Sequence, residues 1–143
     1  MDTLGHILWL GYFKGFAFPL VLGTIFPDLC LNLFILKHRK LPDDRFEHWL
    51  WIQAERLHSI FLVAVVCILS YLSQNIWFIS FAFGWAFHVG IDLLMHKREG
   101  ARYFYPFLDR KCRVGLFHWQ TKKFVIANYA VLLGLYAFRY IRH

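Results

Sequence analysis

An all-α, multi-pass transmembrane bundle of about four or five helices is the fold this sequence predicts, and three observations predict it. Hydrophobic residues make up 59% of the chain and charged residues only 17%, whereas soluble domains run near roughly half and a quarter. Sixteen Phe, seven Tyr and six Trp give the aromatic load of a membrane core and its interfaces. Several apolar runs approach the length of about 20 residues that crossing hydrocarbon requires. With 143 residues, the chain forms one domain, 1–143.

The first apolar region, Ile7 to Leu36, is too long for one straight pass. Pro19, Gly23 and "FPD" at 26–28 interrupt it, so a kinked or broken element is expected. One arrangement is a short helix through Ala17 and a second from Pro19 to Lys37, bent near Pro27. Another begins a half-helix at Asp28. The next stretch, "LPDDRFEHWLWIQAERLHSIFLVAVVCILSYLS", reads as one helix capped by Asp43 or Asp44. Phe46, Trp49, Leu50 and Leu57 make its first half amphipathic, suited to the interface. Its second half, from His58 to Leu72, is apolar all round. Ile76 to Met95 is the third run. Phe124 to Phe138 is a shorter fourth, ending in the anchoring set Arg139, Tyr140 and Arg142. Between these lies 97–123, a polar and basic loop containing "YFYPF".

The formal charge of +7 is unevenly placed. Lys37, Arg39, Lys40 and Arg45 form one basic cluster. Lys97, Arg98, Arg102, Arg110, Lys111, Arg113, Lys122 and Lys123 form a second, while "SQN" at 73–75 carries no charge. The positive-inside rule places both clusters on the cytoplasmic side and the Ser73–Asn75 turn on the other side of the membrane, with the cell (inner) membrane as the expected location. Membrane topology thus accounts for the basic balance, and no nucleic-acid partner is expected. The first positive charge, Lys14, falls inside an apolar segment with no small-residue cleavage site after it, which argues against a signal peptide. Cys30, Cys67 and Cys112 lack pair spacing and read as packing residues.

Polar groups inside apolar runs are the candidates for function, because ionisable residues in a membrane are costly and face the bundle interior. In "HVGIDLLMH", residues 88–96, His88, Asp92 and His96 recur every four residues and share nearly one helical face. Asp92 is the only charge between Ile76 and Met95. Asp28 and Asp92 are the two carboxylates of this kind, with His58 near them. Asp28 lies nine residues before Lys37, and His88 nine before Lys97. At about 1.5 Å per residue both sit on the order of 13 Å above the basic residues. His58, fourteen residues after Asp44, falls in broadly the same layer. Two or more imidazoles with carboxylate suit a divalent ion, Zn²⁺ first, which also supplies the missing positive charge. Each residue has a plainer reading as well. His58 could be a hydrogen-bonded core histidine, Asp28 an N-cap beside Pro27, and Asp92 a partner of Lys97.

"FPDL" at 26–29, "LHS" at 57–59, "HVGIDLLMH" at 88–96 and "RYFYPFLD" at 102–109 together resemble the membrane-bound metal-dependent hydrolases of the YdjM-like group. That group is similar in its His-x-x-x-Asp logic to zinc-dependent phospholipase C. The resemblance runs in order from His6 to Trp119. It implies Asp28, His58, His88 and Asp92 as metal ligands, with His6 and His96 as further ones. It also implies that Arg102, Asp109 and Trp119 line the cytoplasmic mouth. Two departures leave the number of metals open. Cys30 stands where many members have a second Asp, and Gln53 and Glu55 stand near where many have His-Arg.

The expected activity is metal-assisted hydrolysis of a lipid head-group or prenyl phosphoester at the inner interface of the bilayer. Zn²⁺ would activate water and polarise a phosphoryl oxygen. Asp28 or Asp92 would orient that water or act as base, and Arg102 would receive the anion. The alternative is a non-enzymatic membrane protein, a metal-binding adaptor or carrier whose His/Asp cluster is structural.

Overall fold

The computed structural model describes residues 3–15, 17–38, 45–95, 100–117 and 121–142, the side chains of 30–38 and 45–47 excepted. Among these residues the chain is all-helical: α1 (Thr3–Lys14), α2 (Phe18–His38), α3 (Arg45–Arg56), α4 (Ile60–Ser73), α5 (Ile76–Met95) and α6 (Lys122–Arg142). α5 and α6 are long and apolar enough to cross a bilayer, and α3 with α4 adds a third span if that bent pair is one unit. The expected caps Asp43 and Asp44 lie outside the described residues, as do Arg39, Lys40, Lys97 and Arg98.

The first apolar region breaks at Gly15. Its backbone takes φ +82°, a conformation glycine adopts without a Cβ penalty, and its N–H closes α1 on the Gly11 carbonyl at 3.0 Å. Pro19 then falls in the first turn of α2, where a missing N–H costs no helical bond. Pro27 stays within α2. Asp28 is therefore in the interior of a helix, which rules out the N-cap and half-helix readings.

The stretch expected as one helix is two. α3 and α4 meet at 60° across Leu57–Ser59. Ser59 is the N-cap of α4, with φ −68° and ψ 128°, and its Oγ accepts from Leu62 N. The Ile60 N–H donates to the Tyr103 carbonyl at 2.9 Å, and Ser59 Oγ donates to the Tyr105 carbonyl. The cap and the loop together satisfy groups that a continuous helix would have satisfied internally.

At the opposite end of α4, the uncharged "SQN" turn uses its polar atoms locally. Gln74 sits in the left-handed region as the C-cap, and Asn75 Oδ1 accepts from Trp77 N at 2.9 Å to start α5. α5 is the centre of the bundle and packs most extensively on α2. Backbones approach closely at Gly23 and Gly84: a Cβ on Gly23 would lie 2.0 Å from the Phe81 carbonyl oxygen, and one on Gly84 2.1 Å from that of Leu20. Thr24 Oγ1 bridges the same contact, donating to Leu20 O at 3.0 Å and lying 3.3 Å from Gly84 O. Small residues at such crossings let membrane helices gain dispersion contacts where no hydrophobic drive separates them from lipid.

The segment 100–117 folds back over the α3–α4 corner and the end of α5 that carries Asp92. Ala101 and Cys112 form an isolated antiparallel bridge. Tyr103 is fully buried and its hydroxyl donates to the Asp92 carbonyl at 3.2 Å. Trp85 Nε1 donates to the Leu57 carbonyl at 2.8 Å, tying α5 to the α3–α4 corner. α6 is peripheral and docks on α1 through Trp9 Nε1 to Asn128 Oδ1 at 2.9 Å and Tyr136 hydroxyl to the Leu8 carbonyl at 2.8 Å.

Candidate metal centre

Four elements converge on one buried cluster. α1 supplies His6, α2 supplies Asp28, the α3–α4 corner supplies His58, and α5 supplies His88 and Asp92. The four-residue spacing of His88 and Asp92 aims both from α5 at the same point, with His88 Nε2 3.2 Å from Asp92 Oδ2. His58 reaches that point because the helix breaks beneath it. Its Nε2 lies 3.3 Å from Asp92 Oδ2, 3.4 Å from Asp28 Oδ1 and 3.3 Å from His88 Nε2. Asp28 Oδ2 is 3.7 Å from His88 Nε2 and accepts from Thr3 Oγ1 at 3.1 Å. His6 stacks on His88 with ring centroids 4.1 Å apart, and its Nε2 lies 3.0 Å from Asp92 Oδ1. His6, His58, His88 and Asp92 are all buried, and Asp28 is the most open of the five.

Tautomers follow from the geometry. His58 Nδ1 lies 2.9 Å from the Ala54 carbonyl, which can only accept, so Nδ1 carries the hydrogen. In a neutral ring the Nε2 lone pair then points into the cluster, facing two carboxylates. This is the outer-shell arrangement that orients metal-ligating imidazoles. His88 Nδ1 is buried and has no hydrogen-bond partner among the described residues.

Two triads hold donor atoms within 4.8 Å of one another: His6 with His88 and Asp92, and Asp28 with His58 and His88. Imidazole nitrogens with carboxylate oxygens are the donor set of a borderline divalent ion. His58 Nε2 and the oxygens of Asp28 and Asp92 converge at 3.3–3.4 Å, a buried arrangement that a cation, or a proton on Nε2, would satisfy. The residues present therefore fit a metal.

Outside the cluster, α3 and the 100–117 segment are joined by charge. Glu55 is buried and receives Trp51 Nε1 at 2.8 Å, Arg102 Nε at 3.2 Å and Lys111 Nζ. Asp109 receives Arg56 Nη2 at 2.5 Å and Arg102 Nη1 at 2.9 Å. The Arg56 guanidinium, hydrogen-bonded to Asp109, holds its carboxyl below the usual carboxylate range.

Of the residues singled out from sequence, His6, Asp28, His58, His88 and Asp92 lie together. Arg102 and Asp109 lie together in the ion-pair network. His96 and Trp119 lie outside the described residues, as does the side chain of Cys30. The sequence reading missed Arg56 and the orienting carbonyl of Ala54. It named Glu55 only as a departure from a family pattern. Arg56 stands two residues before His58 in "ERLHS", a basic group beside a candidate ligand, and that was the available signal.

The family model described as YdjM inner membrane protein matches residues 1–143, the whole chain. No curated protein and no solved structure matches it.

Proposed function

We propose that this chain, which belongs to the YdjM inner membrane protein family, is a metal-dependent hydrolase acting on a lipid or prenyl phosphoester at the cytoplasmic surface of the inner membrane. One observation carries the reading: His58 Nε2 faces carboxylate oxygens of both Asp28 and Asp92 in a buried site, with Nδ1 already committed to Ala54. Asp28, His58, His88 and Asp92 would hold a divalent ion, Zn²⁺ first, with His6 on the far oxygen of Asp92. Such an ion, when bound, supplies Lewis acidity and lowers the pKa of a coordinated water.

The remaining chemistry belongs to the chain. Asp28, the most open of the five, would orient the attacking water or take its proton. His6 and the Tyr103 hydroxyl fix Asp92 through its carboxylate and its carbonyl. Burial strengthens these contacts. The basic residues of 100–113 define the cytoplasmic side by the positive-inside rule.

The test is elemental analysis of purified protein alongside a head-group phosphodiesterase screen. Wild type is expected to carry stoichiometric metal and to hydrolyse a phosphoester. His88→Ala and Asp92→Asn are expected to lose both while still inserting in the membrane. A metal-free wild type, reconstituted with Zn²⁺ and still binding none, overturns the reading. Variants that lose thermal stability in detergent with unchanged metal content instead support a structural His/Asp cluster.

A further inference from the structure

The ion-pair network joining α3 to the 100–117 segment has an asymmetry. Glu55 is buried and saturated by Trp51, Arg102 and Lys111. Asp109 is at the rim, its side chain 44% exposed, yet two guanidiniums converge on it. Arg56 meets it as a fork, with Nη2 2.5 Å from Oδ2 and Nε 3.3 Å from Oδ1. Arg102 Nη1 meets Oδ1 at 2.9 Å and also donates to the Asp109 backbone carbonyl.

Both arginines are held from behind by other groups. Arg102 Nε is fixed on Glu55. The Arg56 guanidinium lies over the Tyr105 ring, 4.7 Å from its centroid. Arg56 Nη1 also donates to the Gln53 side-chain oxygen, at 3.1 Å in the amide orientation that satisfies Trp49 as well. Removing Asp109 would therefore leave a cradle still in place. Paired guanidiniums of this kind match phosphate oxygens as well as they match a carboxylate.

We propose that Arg56 and Arg102 form the receptor for the oxyanion of a phosphate ester, and that Asp109 occupies it as an internal stand-in which the phosphate displaces. Naming the anion as phosphate rests on the hydrolase reading above. Charge balance favours the exchange. Arg56, Arg102 and Lys111 against Glu55 and Asp109 leave one net positive charge, and a singly charged phosphodiester in place of the Asp109 carboxylate preserves it. The exchange trades one oxyanion for another on the same donors, so the guanidinium hydrogen bonds are remade and not lost. Position favours it too. Arg56 precedes His58 by two residues, and Arg102 precedes Tyr103, whose hydroxyl rests on the Asp92 carbonyl. An anion in the cradle would thus be held by segments that also carry or support the cluster.

Binding, read by calorimetry on chelator-treated full-length protein in a phosphate-free maltoside detergent, tests this apart from hydrolysis or metal. The probes are inorganic phosphate and dihexanoyl phosphatidylglycerol, with dihexanoylglycerol as the uncharged control. Asp109→Asn is expected to tighten phosphate-probe binding about tenfold, and Arg56→Gln added to it to abolish the gain, since the fork is lost. Asp109→Glu is expected to bind as wild type does. Tighter binding of the lipid probe than of free phosphate identifies a head group as the ligand; equal binding identifies free phosphate. Either supports the receptor. Should Asp109→Asn not remain monodisperse, Arg56→Lys in the wild-type background carries the test, with about tenfold weaker binding expected because lysine keeps the charge without the fork. Unchanged or weaker binding in a folded Asp109→Asn, a gain that survives Arg56→Gln, or wild-type affinity in Arg56→Lys overturns the proposal.

Discussion

Replacing Gly84 with Ala tests whether the α2–α5 crossing sets the geometry of the cluster. The added Cβ would lie 2.1 Å from the Leu20 carbonyl oxygen and 2.9 Å from Thr24 N. Ordinary contact begins near 3.4 Å, so the helices must separate by roughly 1 Å. The obstructing atoms are backbone and cannot rotate away. Overpacking of this kind costs about 1–3 kcal/mol, set against the ~1 kcal/mol that alanine gains over glycine in a helix. Gly90 on the same helix is the internal control, since a Cβ there meets nothing within 4 Å. Gly84→Ala is expected to unfold earlier in a denaturant titration in detergent and, on the reading proposed above, to bind less metal, because α2 carries Asp28 away from His88. Gly90→Ala is expected to be neutral or stabilising. Equal stability and equal metal content in the two variants would refute the reasoning.

Two further expectations concern the α3–α4 corner and the rim. Ser59→Ala removes the α4 N-cap and the bond to the Tyr105 carbonyl; a loss of about 1–2 kcal/mol in unfolding stability is expected from the cap alone, with faster proteolysis of 100–117. Asp109 has a folded pKa lowered by its hydrogen bond from Arg56, so its contribution is present above the ordinary carboxylate value of 3.8 and is lost as pH falls through the lower folded value. A ¹³C titration of the Asp109 carboxyl should show a midpoint below 3.8, and Arg56→Gln should move it upward.

Several elements are legible in the amino-acid order alone. The apolar run Ile76–Met95 is α5 residue for residue, because continuous apolarity bounded by a polar turn and a basic stretch has one helical reading in a bilayer. The first apolar region breaks at Gly15, a few residues ahead of the Pro19 that signals the interruption. The α3–α4 break is not legible. "AERLHSIFLV" contains no proline or glycine, and its pattern is as good for one helix as for two. The competitor is the Tyr103 carbonyl, delivered by a loop far along the chain.

The sequence by itself determined that the protein is helical and membrane-embedded, since composition and run length leave no other solvent for its apolar side chains. It also determined that His88 and Asp92 share a helical face, because that relation is fixed by the α-helical repeat. Tertiary structure alone decided that His6 stacks on His88, that His58 turns inward at a corner, and that Arg56 and Arg102 close on Asp109. Those contacts join residues whose spacing along the chain carries no geometric information. They exist because Gly23 and Gly84 let two backbones meet and because Tyr103 bolts a loop to the helix that carries Asp92.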